Sequence, residues 1–281
     1  MSTNKIGVNT FGLNDCLRDD FFGTADKLKK AGFSVAEPML FLVEKAGVPS
    51  SVLQARLEDS GKGGSLWMPS EAVKKISLLR QAGIEVHGMH LVFADKSIEN
   101  IKGWADRIFS FAQESSLQYA VFNPHVKTYE QTCIVKDFLN YFLPLMKGAG
   151  VQVLIHNHAY ELKNKEGFLP FAFLLREVKD LRFQIDVGWA QFEGEDPVGV
   201  MKQHSDKIAS VHLKDIKKKA EGEDAVEFTA VGEGCIPLKD ILSVAKECDL
   251  LEGGLVIDQD ESKGDILSDL QTGFTNIKKW L

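Results

Sequence analysis

The chain has 281 residues, 44% of them apolar and 26% charged, with a formal net charge of −7. That composition belongs to a soluble globular protein and excludes disordered and fibrous classes, while the acidic balance argues against a surface built to collect nucleic-acid phosphates. Length alone permits two ordinary domains or one α/β barrel of about 250 residues.

Three further exclusions follow from pattern. Cys16, Cys133, Cys235 and Cys248 lack any CxxC spacing, so neither a zinc knuckle nor a disulfide frame is implied. No apolar run is long enough to span a bilayer, and the opening MSTNKIGVNTFG carries no signal-peptide pattern. The expectation is a cytoplasmic protein with no nucleic-acid or membrane partner. The lysine run 217–219 is followed at once by Glu221, Glu223 and Asp224, and reads as a solvated loop.

In chain order, KIGVNT opens as a strand, and Phe21, Phe22, Ala25, Leu28 and Ala31 then recur at helical spacing up to a stop at Gly32. FSVAEPM is a second strand that ends with Glu37 and is terminated by Pro38. From Leu40 to Met68 the pattern is irregular, with a short helix at Val52 to Asp59 and a glycine cluster at Gly61, Gly63 and Gly64. In a barrel enzyme such an excursion is expected to cover the site as a lid, with Phe41, Leu66 or Trp67 as an apolar wall.

The rhythm then becomes regular. PSEAVKKISLLRQAG is a helix with Ser70 as its cap, and IEVHGMHLVF is a third strand ending at His90. The helix SIENIKGWADRIFSFAQESS leads to a fourth strand, Tyr119 to Phe122, which delivers Asn123 and His125. A helix from Tyr129 to Gly148 precedes VQVLIHNHAYEL, a fifth strand that breaks off in His156, Asn157, His158 and Glu161. Two residues apart on a strand, His156 and His158 share a face and Asn157 takes the other.

FLPFAFLLREVKD is helical, and RFQIDVGW is a sixth strand ending at Asp186, with Trp189 just beyond. DPVGVMKQHSD is a short helix with Asp196 as cap and Pro197 in its first position. IASVHLKDI delivers His212 and Lys214, the helix IPLKDILSVAKECD follows, and GGLVIDQD ends at Asp258 and Asp260 before a closing helix.

Strands and helices thus alternate eight times, which implies parallel strands with right-handed crossovers. No GxGxxG follows the first strand, and polar residues end many different strands. Both features favour one closed (β/α)8 TIM barrel over residues 1–281 rather than an open doubly wound sheet. A barrel gathers its strand C-termini at one face, so Glu37, His90, Asn123 with His125, His156 with His158, Asp186, His212 with Lys214, and Asp258 with Asp260 would ring one pocket. Mixed imidazole and carboxylate groups suit a divalent ion such as Mn, Co, Fe or Zn, although one or both fifth-strand histidines could instead only close hydrogen bonds above the core.

The motifs HNHAYEL, FQIDVGWA, VHLKD, FTAVGEGCIPLKDIL and LVIDQDES, in this order and spacing, resemble the xylose isomerase-like TIM barrel family, which includes sugar phosphate isomerases and epimerases, tagatose epimerases, inosose dehydratases and endonuclease IV. The resemblance implies a divalent metal (Mn, Co, Zn, Fe or Mg) held by the fifth to eighth strands, at His156, Asp186, His212 and Asp258. His156 and Asp258 stand where the family usually has glutamates, so its two-glutamate proton transfer cannot be copied. A histidine on the fifth strand is similar to the inosose dehydratase branch.

The expected function is a metal-dependent sugar or polyol isomerase or epimerase working through an enediolate. Glu161 or His158 is the base, Lys214 and His90 hold oxygens, and Glu37, Asn123 and Trp189 bind the small carbohydrate substrate. Open alternatives are a dehydratase or lyase on a keto-sugar or keto-inositol, an AP endonuclease, a sugar-binding barrel without chemistry, and a homo-oligomeric state. Gly232 and Gly234 resemble a family turn more than a phosphate-binding loop.

Overall fold

The computed structural model describes residues 5–43, 50–93, 98–163, 167–217 and 227–281. The apolar runs become eight parallel barrel strands: Ile6–Asn9; Val35–Glu37 continued by Met39–Leu42; Glu85–Val86 continued by Gly88–Phe93; Tyr119–Phe122; Gln152–His156; Arg182–Asp186; Ile208–Leu213; and Leu255–Ile257. Each pairs in parallel with the next. The last returns to the first from Ile6↔Leu255 to Val8↔Ile257, and the ring is closed. The (β/α)8 barrel expected from the alternation is what forms.

The intervening helices begin and end where the sequence signals stood. Phe21–Ala31 closes on Gly32 in the left-handed region at φ 107°, a conformation that costs glycine little. Pro197–Gln203 is capped by the Asp196 side chain. Phe22 is 62% exposed and lies off the buried face of its helix. Ser70 is not a cap: Pro69 opens the helix Pro69–Gln81, and the Glu71 carboxylate accepts the Met68 N–H. No helix among the described residues is long and apolar enough to cross a membrane.

Two strand ends differ from the sequence reading. Pro38 interrupts the second strand rather than terminating it. It has no N–H to donate, but its carbonyl still accepts from the His90 N–H at 2.9 Å, and Met39–Leu42 then pairs with Gly88–Phe93. The third strand likewise runs on to Phe93. Glu37 and His90 therefore sit within the barrel wall, not at its rim.

Between the second and third strands, Ser50–Asp59 is helical and residues 44–49 lie outside the described residues. The glycine cluster docks on the outside of the barrel: a Cβ on Gly64 would come within 1.8 Å of the Asn14 carbonyl oxygen, and the Asn14 side chain accepts the Ser65 N–H at 3.1 Å. Trp67 is fully buried beside Phe21 and donates to the Gly64 carbonyl at 2.8 Å. Of the three expected lid contacts, only Leu66 reaches the pocket. The segment is held down because its glycines and its tryptophan satisfy their contacts against the first helices.

Candidate active site

The barrel axis is occupied by a carboxylate. Glu37, 0% exposed, receives His90 Nε2 at 2.9 Å, His212 Nε2 at 2.7 Å and Asn9 Nδ2 at 3.3 Å on Oε1. Its Oε2 receives the Tyr119 hydroxyl at 2.7 Å and Gln184 Nε2 at 2.8 Å. Burial opposes a charge here, but the imidazoles of His90 and His212 outweigh it and hold Glu37 well below the usual carboxylate range. Tyr119 reaches the axis across Gly88, where a Cβ would fall 2.1 Å from the tyrosine ring, so only glycine permits this crossing.

Glu37 also sets two histidines. His212 bridges Glu37 and Asp258, with Nε2 toward the former and Nδ1 3.0 Å from the latter's Oδ2. Burial alone would lower its pKa, yet the two carboxylates raise it to about 10, so without a metal it is an imidazolium. Gln184 gives its amide protons to Glu37 and to Ser210 Oγ at 3.1 Å. Its Oε1 therefore faces His156 Nδ1 at 3.0 Å and accepts the proton carried there. Burial, aided by the nearby His212 and His90, keeps His156 neutral. Its lone pair lies on Nε2, 3.9 Å from Asp186 Oδ2.

Asp186 is fixed by both neighbours. Asn157, pointing away from His156 and His158, accepts the Asp186 N–H at 2.9 Å and donates to its carbonyl at 3.2 Å. The Asp186 Oδ1 caps the next helix through the Trp189 N–H at 2.9 Å, and Oδ2 accepts no hydrogen bond. Asp258 Oδ1 is likewise buried without a hydrogen bond. Ligand atoms of Asp186, His212 and Asp258 all lie within 4.8 Å of one another. Two carboxylate oxygens without a hydrogen bond, one of them facing only the Lys214 ammonium at 3.4 Å, beside an oriented imidazole fit a divalent cation.

Lys214, 2% exposed, lies among these carboxylates, with Nζ 2.7 Å from Asp260, 3.0 Å from Asp258 and 3.4 Å from Asp186. Burial disfavours its charge, but the three acids hold its pKa well above the usual lysine value. Its stem crosses Gly188, where a Cβ would approach it to 2.7 Å. Burial raises Asp260, partly offset by Lys214, to about 6. Asp215 is structural: it accepts the N–H groups of Gly232 and Gly234 at 2.9 and 3.0 Å, which confirms those glycines as a turn.

Above this floor opens a cavity of about 400 Å³, lined by the expected His90, Asn123, His156, His158, Trp189, His212, Lys214 and Asp258. His158 is kept neutral by burial and by His125, and its Nδ1 lies 4.0 Å from Glu161 Oε2. Glu161 is fully buried behind it, and burial raises its carboxyl to about 7. Glu37, expected among the substrate contacts, lies below the cavity with its carboxylate saturated by five donors, which leaves no capacity for a substrate. His125 and Asp260, expected in the ring of strand ends, also line the cavity. The sequence reading assigned no role to Gln184 or Tyr119, and of these only Gln184 had a signal, its two-residue spacing from Asp186 on one strand face.

A family model for the xylose isomerase-like TIM barrel matches residues 76–261. An inosose dehydratase from Clostridium beijerinckii is 23% identical over 144 residues, 47% of this chain and 48% of that protein, so the matched stretch spans about half of that relative. A sugar phosphate isomerase/epimerase from Parabacteroides distasonis has the same fold, with a TM-score of 0.75 and 19% identity over 99% of this chain and 94% of its own. A xylose isomerase-like barrel protein from Mycobacterium smegmatis in complex with magnesium superposes with a TM-score of 0.67 at 12% identity, over 98% and 96% of the two chains. With two thirds of its length matching the family model, its closed parallel barrel and its ring of strand-end acids and imidazoles, this chain belongs to the xylose isomerase-like TIM barrel family.

Proposed function

We propose that this chain is a divalent-metal-dependent isomerase or epimerase of a small carbohydrate, removing a proton from the carbon beside a carbonyl. The observation that carries the reading is the convergence of Asp186, His212 and Asp258 under the cavity, where Asp258 Oδ1 has no hydrogen bond and Asp186 Oδ2 meets only the Lys214 ammonium at 3.4 Å. His156 would join them through Nε2, the nitrogen that Gln184 leaves without a proton. An ion held there would polarise the substrate carbonyl and acidify the neighbouring C–H.

The protein's own groups supply the rest. His158 lines the cavity and is neutral at physiological pH, so its Nε2 accepts the proton. Glu161 Oε2 accepts the His158 backbone N–H at 2.9 Å and stands 4.0 Å from the ring Nδ1, close enough to stabilise the imidazolium that forms. His90 Nδ1, buried without a partner, donates to or accepts from a substrate hydroxyl. Trp189 offers a ring face for the sugar and packs 5.2 Å from the Lys214 ammonium. Return of the proton to the adjacent carbon, while the neighbouring hydroxyl gives its proton to the former carbonyl oxygen, gives the isomer; delivery of a proton to the opposite face by a second group gives the epimer.

A second reading, dehydration of a keto-sugar, is favoured by the inosose dehydratase relative and by Asp260. This carboxyl lines the cavity, and with its pKa near 6 it keeps a share of its proton near neutrality. The same C–H proton goes to His158, while Asp260 protonates the departing hydroxyl, which leaves as water. Incubation with keto-sugars and keto-inositols in D2O tests both. Deuterium uptake beside the carbonyl with an intact sugar supports isomerisation, and enone absorbance supports dehydration. The absence of both across metal-loaded samples would refute the proton-abstraction reading.

A further inference from the structure

Polar groups reach the cavity from all round the barrel: His156, His158, His212, Lys214, Asp258 and Asp260 from the fifth to eighth strands and their ends, and Asn9, His90, Asn123 and His125 from the first four. Most of its apolar lining, Phe11, Met39, Leu66, Leu91, Phe93 and Phe122, comes from the first four strands and their ends. Met39 and Leu66 stand opposite each other on adjacent strands, and the Phe93 and Phe122 rings meet edge to face at 5.9 Å, with Phe122 also packed on Phe138 of the following helix at 5.2 Å. Phe11 stands on the turn after the first strand, 44% exposed beside the cavity. A hydroxyl set directly against Phe11, Met39 or Leu66 would lose water without gaining a partner there, so this part of the cavity suits an apolar group.

Charge points the same way. Among the described residues the single lysine or arginine lining the cavity is Lys214, and its ammonium is already shared by Asp186, Asp258 and Asp260. Among the described residues, a phosphate would meet Asp258 and Asp260 with no further lining cation to neutralise it.

We propose that the substrate is an uncharged glycoside whose apolar aglycone lies along the apolar lining of the first four strands while the sugar lies over the acids and imidazoles of the last four. The assignment rests on the reading of that floor as a carbohydrate site. It makes Phe11 and Leu66 specificity-determining residues for the aglycone.

Calorimetric titration of the metal-loaded protein with phenyl β-D-glucoside, methyl β-D-glucoside, glucose and glucose 6-phosphate tests it, because binding needs no turnover. The phenyl glycoside is expected to bind about tenfold tighter than the methyl glycoside, the effect of adding one aromatic contact, and glucose 6-phosphate weakest of the four. Phe11→Ala, a change at an exposed position, should shrink the phenyl preference to about threefold or less at unchanged melting temperature and metal content. Leu66→Ala provides the second variant. Equal affinity for the phenyl and methyl glycosides, no saturable binding of any probe, or glucose 6-phosphate as the tightest ligand would overturn the proposal. A clear aglycone preference with no deuterium uptake on any keto-sugar would instead defeat the proton-abstraction reading and leave this one standing.

Discussion

Glu37→Gln removes one charge from the barrel axis with almost no change of shape. In the metal-free protein His212 is an imidazolium between Glu37 and Asp258, so the substitution deletes one of two buried counter-charges. Breaking a buried pair this way costs about 3–5 kcal/mol, which for a chain of this size lowers Tm by roughly 6–15 °C. The His212 pKa is raised from 6.5 to about 10, so its contribution is fully present below pH 6.5 and lost as pH rises through 10. The deficit of the variant should therefore be largest below neutrality and shrink toward pH 10. The glutamine amide can also turn its own N–H toward His212 and favour the wrong tautomer, so metal affinity should fall roughly 10 to 100-fold. Thermal melts from pH 6 to 10 and calorimetric titration with Co2+ measure both effects. Tyr119→Phe, which removes one of the five donors and leaves the histidines alone, should cost only about 1 kcal/mol. A Glu37→Gln protein that melts and binds Co2+ like the parent would show that Glu37 does not position His212.

Four further outcomes are expected. Asp186→Asn should lose most of the metal and the activity together, while Glu161→Gln should keep the metal and slow proton exchange at the substrate carbon; metal analysis of the purified variants separates the two. Burial raises Glu161 from 4.5 to about 7, so the folded state holds the extra proton and stability should fall by about 3 kcal/mol as pH rises from 4.5 to 7, a slope that Glu161→Gln removes in pH-dependent denaturation. Lys214→Met should tighten divalent-ion binding by about tenfold, since an ammonium no longer competes for Asp186 and Asp258, and a competing chelator measures it; weaker binding would mean that Lys214 supports the metal site. Deleting residues 61–64 should lower Tm through lost docking on Asn14, with KM unchanged, and a raised KM in a fully stable protein would restore the lid.

The fold was legible because each barrel strand is a short apolar run ending in a polar residue, and because glycine and aspartate mark helix ends as at Gly32 and Asp196. The ring of Asp186, His212 and Asp258 was legible for the same reason: a closed parallel barrel brings every strand C-terminus to one face. Pro38 misled the reading. Proline usually stops a strand, but here only its missing N–H is given up while its carbonyl keeps a partner in the next strand. That single continuation moves Glu37 from the rim to the axis.

What decides the chemistry at the floor was hidden in residues whose meaning depends on contacts across the whole chain. Glu37 meets its partners at sequence separations from 28 to 175, and Gln184 carries neither charge nor metal affinity of its own. Together they determine which nitrogen of His156 bears a lone pair and which of His212 faces Asp258. The charges complete the picture: four carboxylates, Glu37, Asp186, Asp258 and Asp260, crowd around two cations, His212 and Lys214. Asp186 and Asp260 respond to burial by holding their protons more tightly, so the floor carries more negative potential than its own cations neutralise. A divalent ion would relieve that excess and, by taking the place of one proton on His212, return Glu37 to a single role, holding the opposite nitrogen of the same ring.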